Sequence, residues 1–167
     1  MSHVEQSGSP SPRARVCVDI ALRWGDQDEY GHINNVAYPR YLEEARVRVF
    51  SLGLGDEYAG LETIFAGSGE IAHKMLLASQ HIEFLGVLPY GEAPARIEMW
   101  IGKIGGSSFD VHAEIFDQGS AQALVARAVS TLVVVDGDTL RPKRLAATER
   151  EVLVRWHAEP LKMRRHG

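Results

Sequence analysis

The chain has 167 residues, of which 45% are hydrophobic and 24% charged, a composition typical of one globular domain. Its 18 lysines and arginines against 22 aspartates and glutamates give a formal net charge of −4, so no strong basic field attracts nucleic acid or an anionic membrane. A single cysteine, Cys17, excludes an intrachain disulfide and any metal site built on paired thiolates. We therefore expect a soluble, cytoplasmic protein with no nucleic-acid or membrane partner.

The chain begins with a polar stretch and then changes character. Residues 1–14 are rich in Ser, Pro and Gly and offer little to bury, which predicts a flexible tail. From Val16 to Trp24 apolar residues fall on every second position, which predicts a strand with one buried face.

A helix is predicted next. Residues 25–35 are dense in Gly, Asp and Asn and end in a favoured helix cap. An apolar stripe at steps of three and four follows, formed by Tyr38, Tyr41, Leu42, Ala45, Val49 and Leu52. Gly53 is expected to end the helix, and the chain up to Gly69 to be a connection with one short extra turn.

The second half predicts a succession of strands at 71–85, 95–101, 109–115 and 121–135, with a hairpin turn at Gly105–Ser107. The last strand is apolar on both faces and should lie centrally in the sheet. A capping box from Thr148 to Glu151 predicts a short terminal helix that Pro160 closes. The order specifies an α+β fold in which a curved, mostly antiparallel sheet wraps one long helix, and its free sheet edge favours dimerisation.

The densest group of reactive side chains lies between the first strand and the long helix: Asp26, Asp28, His32, Asn34 and Asn35. Loop and cap formation alone explains residues of these types. The functional alternative is that unpaired N–H groups at the helix start stabilise an oxyanion beside an upstream carboxylate, the arrangement that acyl transfer or hydrolysis requires.

The run RWGDQDEYGHINNVAYPRYLEEAR at 23–46 closely resembles the opening of hot-dog-fold acyl-CoA thioesterases of the 4-hydroxybenzoyl-CoA thioesterase-like family. Weaker similarity continues through 81–92, 105–117 and the final strand, and covers residues 15–136. The resemblance implies a hot-dog fold and a single thioesterase domain over 15–167, with a core at 15–136 and a C-terminal extension at 137–167. It also implies a homodimer or a dimer of dimers.

The same resemblance implies roles for individual residues. Asp28 takes the position of the family's catalytic carboxylate, as nucleophile or general base, and the Asn35 main-chain N–H polarises the thioester carbonyl. His32 is a third catalytic candidate that positions substrate or water. The implied substrate-binding residues are Gly31, Asn34, Ser107 and Ser108. Coenzyme A enters only as part of the substrate, and neither a cofactor nor a metal is expected.

Other charged residues receive structural interpretations. Asp26 is expected to pair with Arg23 or cap the loop. Of Glu43 and Glu44, neighbours about a hundred degrees apart on the helix, only one can face a substrate groove, and a solvated helix face explains the pair. Basic groups that could meet the phosphates of coenzyme A, among which the sequence does not choose, are Lys74, Lys103, Arg127, Lys143 and Arg144.

Two other functions stay open beside thioester hydrolysis. Asp28 and His32 together would suit a hot-dog hydratase or dehydratase of enoyl or hydroxyacyl thioesters. A non-catalytic acyl-CoA sensor is the other alternative. Serine hydrolase chemistry is disfavoured because no Gly-x-Ser-x-Gly motif occurs, and phosphate-cradling chemistry because the chain lacks a Gly-rich loop ending in Lys-Ser/Thr.

Overall fold

The computed structural model describes residues 15–52, 61, 73–119 and 121–164. Its strands are β1 (Val16–Ile20), β2 (His73–Phe84), β3 (Ala95–Ile104), β4 (Ser108–Asp117) and β5 (Leu124–Asp136), and its helices are α1 (Tyr38–Val47) and α2 (Ala147–Arg155). The strands form one sheet in the order β1-β3-β4-β5-β2, with every neighbouring pair antiparallel. The predicted α+β architecture is confirmed. The predicted tail at 1–14 lies outside the described residues.

The core lies between α1 and the concave face of the sheet. The helix buries its predicted stripe of Tyr38, Tyr41, Leu42 and Ala45, and the ring of Tyr38 meets Phe84 of β2 edge-on at 5.1 Å. Each large side chain buried in this way contributes about 1.5–3 kcal/mol of transfer free energy. The apolar stripe therefore fixes which side of α1 faces the sheet.

The long helix is not uniform. It opens with a 3₁₀ turn at Asn35–Ala37, continues as α1 and ends in a π-helical turn at Arg48–Leu52. Because the π turn is wider than an α turn, it changes the phase of the stripe. Leu52 is accordingly 74% exposed, so its predicted burial is wrong. The predicted helix end at Gly53 and the connection to Gly69 fall outside the described residues, Leu61 excepted.

Three details of the predicted strands are wrong. β1 ends at Ile20, and Trp24 is 76% exposed at the start of a 3₁₀ turn. β5 lies between β4 and the edge strand β2, so β4 is the central strand. Val129 and Val133, on the outer face of β5, are only half-buried, so that strand is not fully covered on both faces.

The chain after α2 covers part of the outer face of the sheet. The indole N–H of Trp100 donates to the carbonyl oxygen of Glu159 at 3.0 Å, and the N–H of Leu161 donates to Nδ1 of His112 at 3.1 Å. This covering explains why Trp100 is buried although it lies on the face of β3 opposite the core.

The terminal helix begins earlier than predicted. α2 starts at Ala147, and the Glu149 carboxylate accepts the N–H of Ala146 at 2.7 Å. This is half of a capping box, since alanine has no side-chain acceptor to complete it. The predicted box at Thr148–Glu151 and the predicted end at Pro160 are therefore wrong, because the helix ends at Arg155. Within the described part of the chain, no helix is long and apolar enough to span a bilayer.

Candidate active site

The segment between β1 and α1 folds back on itself as a small antiparallel hairpin. The N–H of Asn34 donates to the carbonyl oxygen of Asp26 at 2.8 Å, and the N–H of Asp28 donates to that of His32 at 2.8 Å. The hairpin docks on the chain that follows β2, since Ile33 N–H donates to the carbonyl oxygen of Leu88 at 2.8 Å. Ile33 is buried and anchors the hairpin to the core.

Asp26 holds the base of this hairpin. Its carboxylate accepts two hydrogen bonds from the guanidinium of Arg23, at 3.0 and 2.9 Å, and a third from the hydroxyl of Tyr41 at 2.8 Å. The Arg23 hydrogen bonds, joined by that of Tyr41, hold the pKa of Asp26 below its ordinary value. The predicted pairing of Asp26 with Arg23 is confirmed, and these contacts tie the loop to α1.

Asp28 is oriented by its own loop. Its Oδ1 accepts the N–H of Tyr30 at 2.9 Å and that of His32 at 3.1 Å. The side chain is half-buried, and its Oδ2 accepts no hydrogen bond from the described residues. One carboxylate oxygen thus fixes the position of the group while the other stays available to solvent or substrate.

Gly31 lets this loop close. Its φ of +77° lies in the left-handed region that glycine adopts without strain, and its carbonyl oxygen accepts the N–H of Tyr90 at 3.2 Å. His32 follows, half-buried, and forms an isolated bridge with Pro89. Gly31 therefore determines the shape of the loop through its backbone conformation.

The start of the helix leaves one main-chain donor unused. Asn34 is the N-cap: its side chain accepts the N–H of Val36 at 3.1 Å and its carbonyl oxygen that of Ala37 at 2.9 Å. The N–H of Asn35 donates to no acceptor among residues 15–52, 61, 73–119 and 121–164. It lies at the positive end of the helix dipole, where a partial negative charge is stabilised.

The segment that carries Asp28 and Asn35 also exposes apolar side chains. Trp24, Tyr30 and Val36 are all more than 70% exposed, and Asp28 lines an open depression together with Trp24 and Gly31. An anchored carboxylate, an unused amide and apolar surface within one loop can bind an acyl group and promote attack on its carbonyl carbon.

The structure does not bring Ser107 and Ser108 to this loop within one chain. Ile20, which precedes the loop, pairs with Ala95 at the start of β3, whereas the two serines follow the end of that strand at Ile104. Ten residues of extended strand span about 30 Å. Within one chain the two serines and the loop therefore lie at opposite ends of β3.

The two helix glutamates differ in their surroundings, and both are exposed. Glu44 forms an ion pair with Arg48 on the solvent side of the helix. Glu43 borders a cavity between α1 and β2 that also receives Arg46. Only one of the pair faces a groove, as the helix geometry predicts.

Arg46 is a buried side chain that sequence reasoning missed. It lies four residues after Leu42 and three before Val49, on the buried stripe itself. Only 7% exposed, it donates a hydrogen bond to Oγ of Ser130 at 3.3 Å. A charged residue at a stripe position is the signal that could have identified it, because such positions are otherwise apolar.

Comparisons with known proteins assign the chain to a family. Residues 22–156 match the model of the thioesterase-like superfamily. This match covers most of the chain, so the protein belongs to that superfamily. A search of curated proteins finds no match.

The described residues contain no cluster of three or more His, Cys, Asp or Glu side chains that could hold a metal ion.

Solved structures confirm the hot-dog fold. A "predicted thioesterase" from Bacillus stearothermophilus has a TM-score of 0.67 at 22% identity, covering 87% of this chain and 98% of its own. A thioesterase from Thermus thermophilus, complexed with coenzyme A and zinc, has a TM-score of 0.64 at 21% identity, covering 87% and 96%. A 1,4-dihydroxy-2-naphthoyl-CoA thioesterase from Synechocystis has a TM-score of 0.64 at 17% identity, covering 84% and 96%.

Proposed function

We propose that this protein hydrolyses an acyl-CoA thioester to the free acid and coenzyme A. The observation that supports the proposal is the segment between β1 and α1, which anchors the Asp28 carboxylate by two main-chain N–H groups and ends in a capped helix start with the unused Asn35 amide. Membership of the thioesterase-like superfamily supports the reaction class. The complex of the Thermus thermophilus protein with coenzyme A supports the choice of thiol.

In the proposed mechanism the thioester carbonyl oxygen accepts the N–H of Asn35, and the negative charge that develops there is stabilised by this donor and the helix dipole. One well-placed donor of this kind is worth about 3 kcal/mol in the transition state. His32, beside Asp28 in the hairpin, positions substrate or water, while Gly31 and Asn34 shape the loop and the helix start.

Asp28 can act either as a nucleophile or as a general base. As nucleophile, its carboxylate attacks the carbonyl carbon, the C–S bond breaks to release the thiolate of coenzyme A, and water then hydrolyses the resulting anhydride. As general base, it takes a proton from the attacking water, and the tetrahedral intermediate collapses with loss of the same thiolate. Both routes require an unprotonated carboxylate at position 28 and no metal.

The proposed functional unit is a dimer. Since Ser107 and Ser108 lie about one strand length from Asp28 in the same chain, their proposed contact with the substrate needs the hairpin of a second copy. β2 is an edge strand of 12 residues with Leu76 and Leu77 exposed. Such an edge can pair with another strand, so we propose that copies associate through it.

The test is release of free thiol from a panel of acyl-CoA thioesters. The Asp28→Asn variant should lower kcat by about 10²-fold or more while the protein stays folded. Asp138→Asn, a change at an exposed turn far along the chain, is the matched control and should keep wild-type turnover. Normal turnover by Asp28→Asn would remove Asp28 from the mechanism. Acyl-CoA binding without thiol release would indicate a sensor, and conversion of an enoyl thioester without thiol release a hydratase.

A further inference from the structure

The guanidinium of Arg46 is a buried cation that forms no ion pair with a described residue, and Glu43 is the acidic side chain that acts on it electrostatically. Its hydrogen bond to Ser130 uses one of its five N–H donors, and no described carboxylate lies within ion-pair distance. Ser130 in turn accepts a hydrogen bond from Nε2 of Gln80 at 2.8 Å. The hydrogen-bonded cluster of Arg46, Ser130 and Gln80 therefore leaves the positive charge without a described ion-pair partner, although the nearby Glu43 acts on it electrostatically.

A buried charge of this kind is costly unless an opposite charge or several hydrogen bonds accompany it. A cavity adjoins Arg46, with Glu43 at its exposed border and apolar walls from Val47, Met75, Leu77 and Leu132. Its volume of about 120 Å³ is well above what a single water molecule needs. It has room for the end of a chain-like ligand, and the cation would meet that end.

The cavity lies along the helix that begins at the candidate active site. Tyr38, near the helix start, packs on Phe84 at the end of β2, whereas Arg46 faces the cavity beside Met75 near the beginning of that strand. The helix thus runs antiparallel to β2. From Asn35 to Arg46 the axis advances about 16 Å at 1.5 Å per residue, and the arginine side chain leans back toward the helix start.

We propose that Arg46 binds a carboxylate at the far end of the acyl group, so that the preferred substrates are thioesters of dicarboxylic acids. Arginine and carboxylate form paired hydrogen bonds, and the apolar walls suit the methylene chain between the two ends. Because the arginine side chain leans back toward the helix start, the distance from the Asn35 amide to the guanidinium is shorter than the roughly 16 Å between the two residues along the axis, at about 12 Å. This distance corresponds to roughly ten bonds of extended chain at about 1.2 Å per bond. This inference rests on the proposed thioesterase function and names its substrate class.

The experiment compares acyl-CoA thioesters of equal length, one member of each pair ending in a methyl group and the other in a carboxylate, over about six to fourteen carbons. For the wild type we expect kcat/KM to favour the carboxylate member by about tenfold or more near ten carbons. Arg46→Met should abolish this preference and leave hydrolysis of the methyl member within about threefold. Arg40→Met, on the exposed side of the same helix, is the control and should keep the preference.

Binding to the Asp28→Asn variant provides a readout that does not depend on turnover. In this variant the carboxylate member of a pair should have a lower dissociation constant than the methyl member, even if no thioester on the panel is hydrolysed. An absence of thiol release with a retained binding preference would therefore refute the proposed reaction and keep the carboxylate site.

Three results would overturn the inference. In the wild type, equal kcat/KM and equal dissociation constants for the two members at every chain length would overturn it, and this result needs no variant at position 46. A carboxylate preference that survives in Arg46→Met, or in the neutral Arg46→Gln if the first variant does not fold, would assign the preference to another residue. Loss of the oligomer in Arg46→Met by light scattering, with no wild-type preference, would show that Arg46 serves a contact between copies instead.

Discussion

Asp28 and His32 are hydrogen-bonded to each other in both directions: the N–H of Asp28 donates to the carbonyl oxygen of His32 at 2.8 Å, and the N–H of His32 donates to Oδ1 of Asp28 at 3.1 Å. The same carboxylate is therefore part of the loop's construction and the candidate reactive group. Substitutions at position 28 can separate these two roles, because an amide oxygen still accepts both N–H groups while an alanine accepts neither.

We expect Asp28→Ala to lower the free energy of unfolding by about 1–2 kcal/mol, because the N–H groups of Tyr30 and His32 lose their common acceptor. Asp28→Asn should stay within about 0.5 kcal/mol of the wild type. Urea denaturation followed by circular dichroism measures both. Equal destabilisation by the two changes would show that the negative charge, rather than the acceptor, holds the loop.

Gly31→Ala is expected to destabilise the protein by about 1–2 kcal/mol because a side chain is strained at its φ of +77°. A Cβ at this position would meet no atom within 4 Å, so the cost comes from the backbone alone. Gly31→Asn should cost less, since asparagine tolerates this conformation better. Thermal denaturation of the three proteins gives the order, and an asparagine variant no better than alanine would contradict it.

A glycine on the outer face of the sheet makes a different prediction. A Cβ on Gly102 would lie 2.1 Å from Nε2 of His112, whose buried ring stacks on Trp100 with 5.8 Å between centroids. Gly102→Ala should therefore cost about 1–3 kcal/mol through overpacking. Gly106→Ala, where a Cβ meets nothing within 4 Å, should change stability by no more than about 0.5 kcal/mol. Chemical denaturation of both variants checks the contrast, which similar losses would refute.

The buried tyrosines predict a loss of stability at alkaline pH. Burial raises the pKa of Tyr38 to about 12, with a backbone hydrogen bond from Leu88 opposing part of the shift. In the unfolded chain Tyr38 loses its proton near pH 10, about two units earlier. The contribution of Tyr38 to the free energy of unfolding is thus fully present below about pH 10. It is lost as the pH rises toward 12, by up to about 1.4 kcal/mol per pH unit.

Tyr38→Phe removes this titration and should flatten the dependence of unfolding free energy on pH above about 10. Burial also raises the pKa of Tyr41, so part of the slope should persist in the variant. Tyr30→Phe, which alters an exposed ring, is the control and should follow the wild type. Urea unfolding at successive pH values measures the slopes, and a slope in Tyr38→Phe as steep as the wild type would contradict the assignment.

The sequence predicts the elements that are buried on one face. β3 and β4 alternate strictly on the core side, and the α1 stripe follows the helical period, because in each case one layer of packing determines the pattern. Such alternation does not show whether a second layer of the chain covers the outer face of the sheet. Alternation by itself places Trp100 on the face opposite the core, where the chain after α2 covers it. The end of β1 was predicted wrongly at the exposed Trp24.

The sequence predicted part of the candidate site as well. Turn and cap chemistry predicted a loop at residues 25–35 and a capped helix start, and the structure contains both. The folding of residues 26–34 into a hairpin was not predicted, because it depends on docking against the chain after β2. Motif resemblance grouped Ser107 with Asp28, but pairing of β1 with β3 places them at opposite ends of the sheet. Arg46 escaped notice because an arginine within EEAR reads as a solvated helix charge until the packing of α1 is known.

The strand order has a consequence for how the chain folds. β2 precedes β3, β4 and β5 in sequence, yet its only partner among the described strands is β5, the last of them. During synthesis β2 must wait until about forty further residues have emerged, and such distant pairing slows folding. Throughout that interval Leu76 and Leu77 lie on a strand with neither edge occupied. Mutations that delay β5 should therefore promote aggregation even where they leave the native state intact.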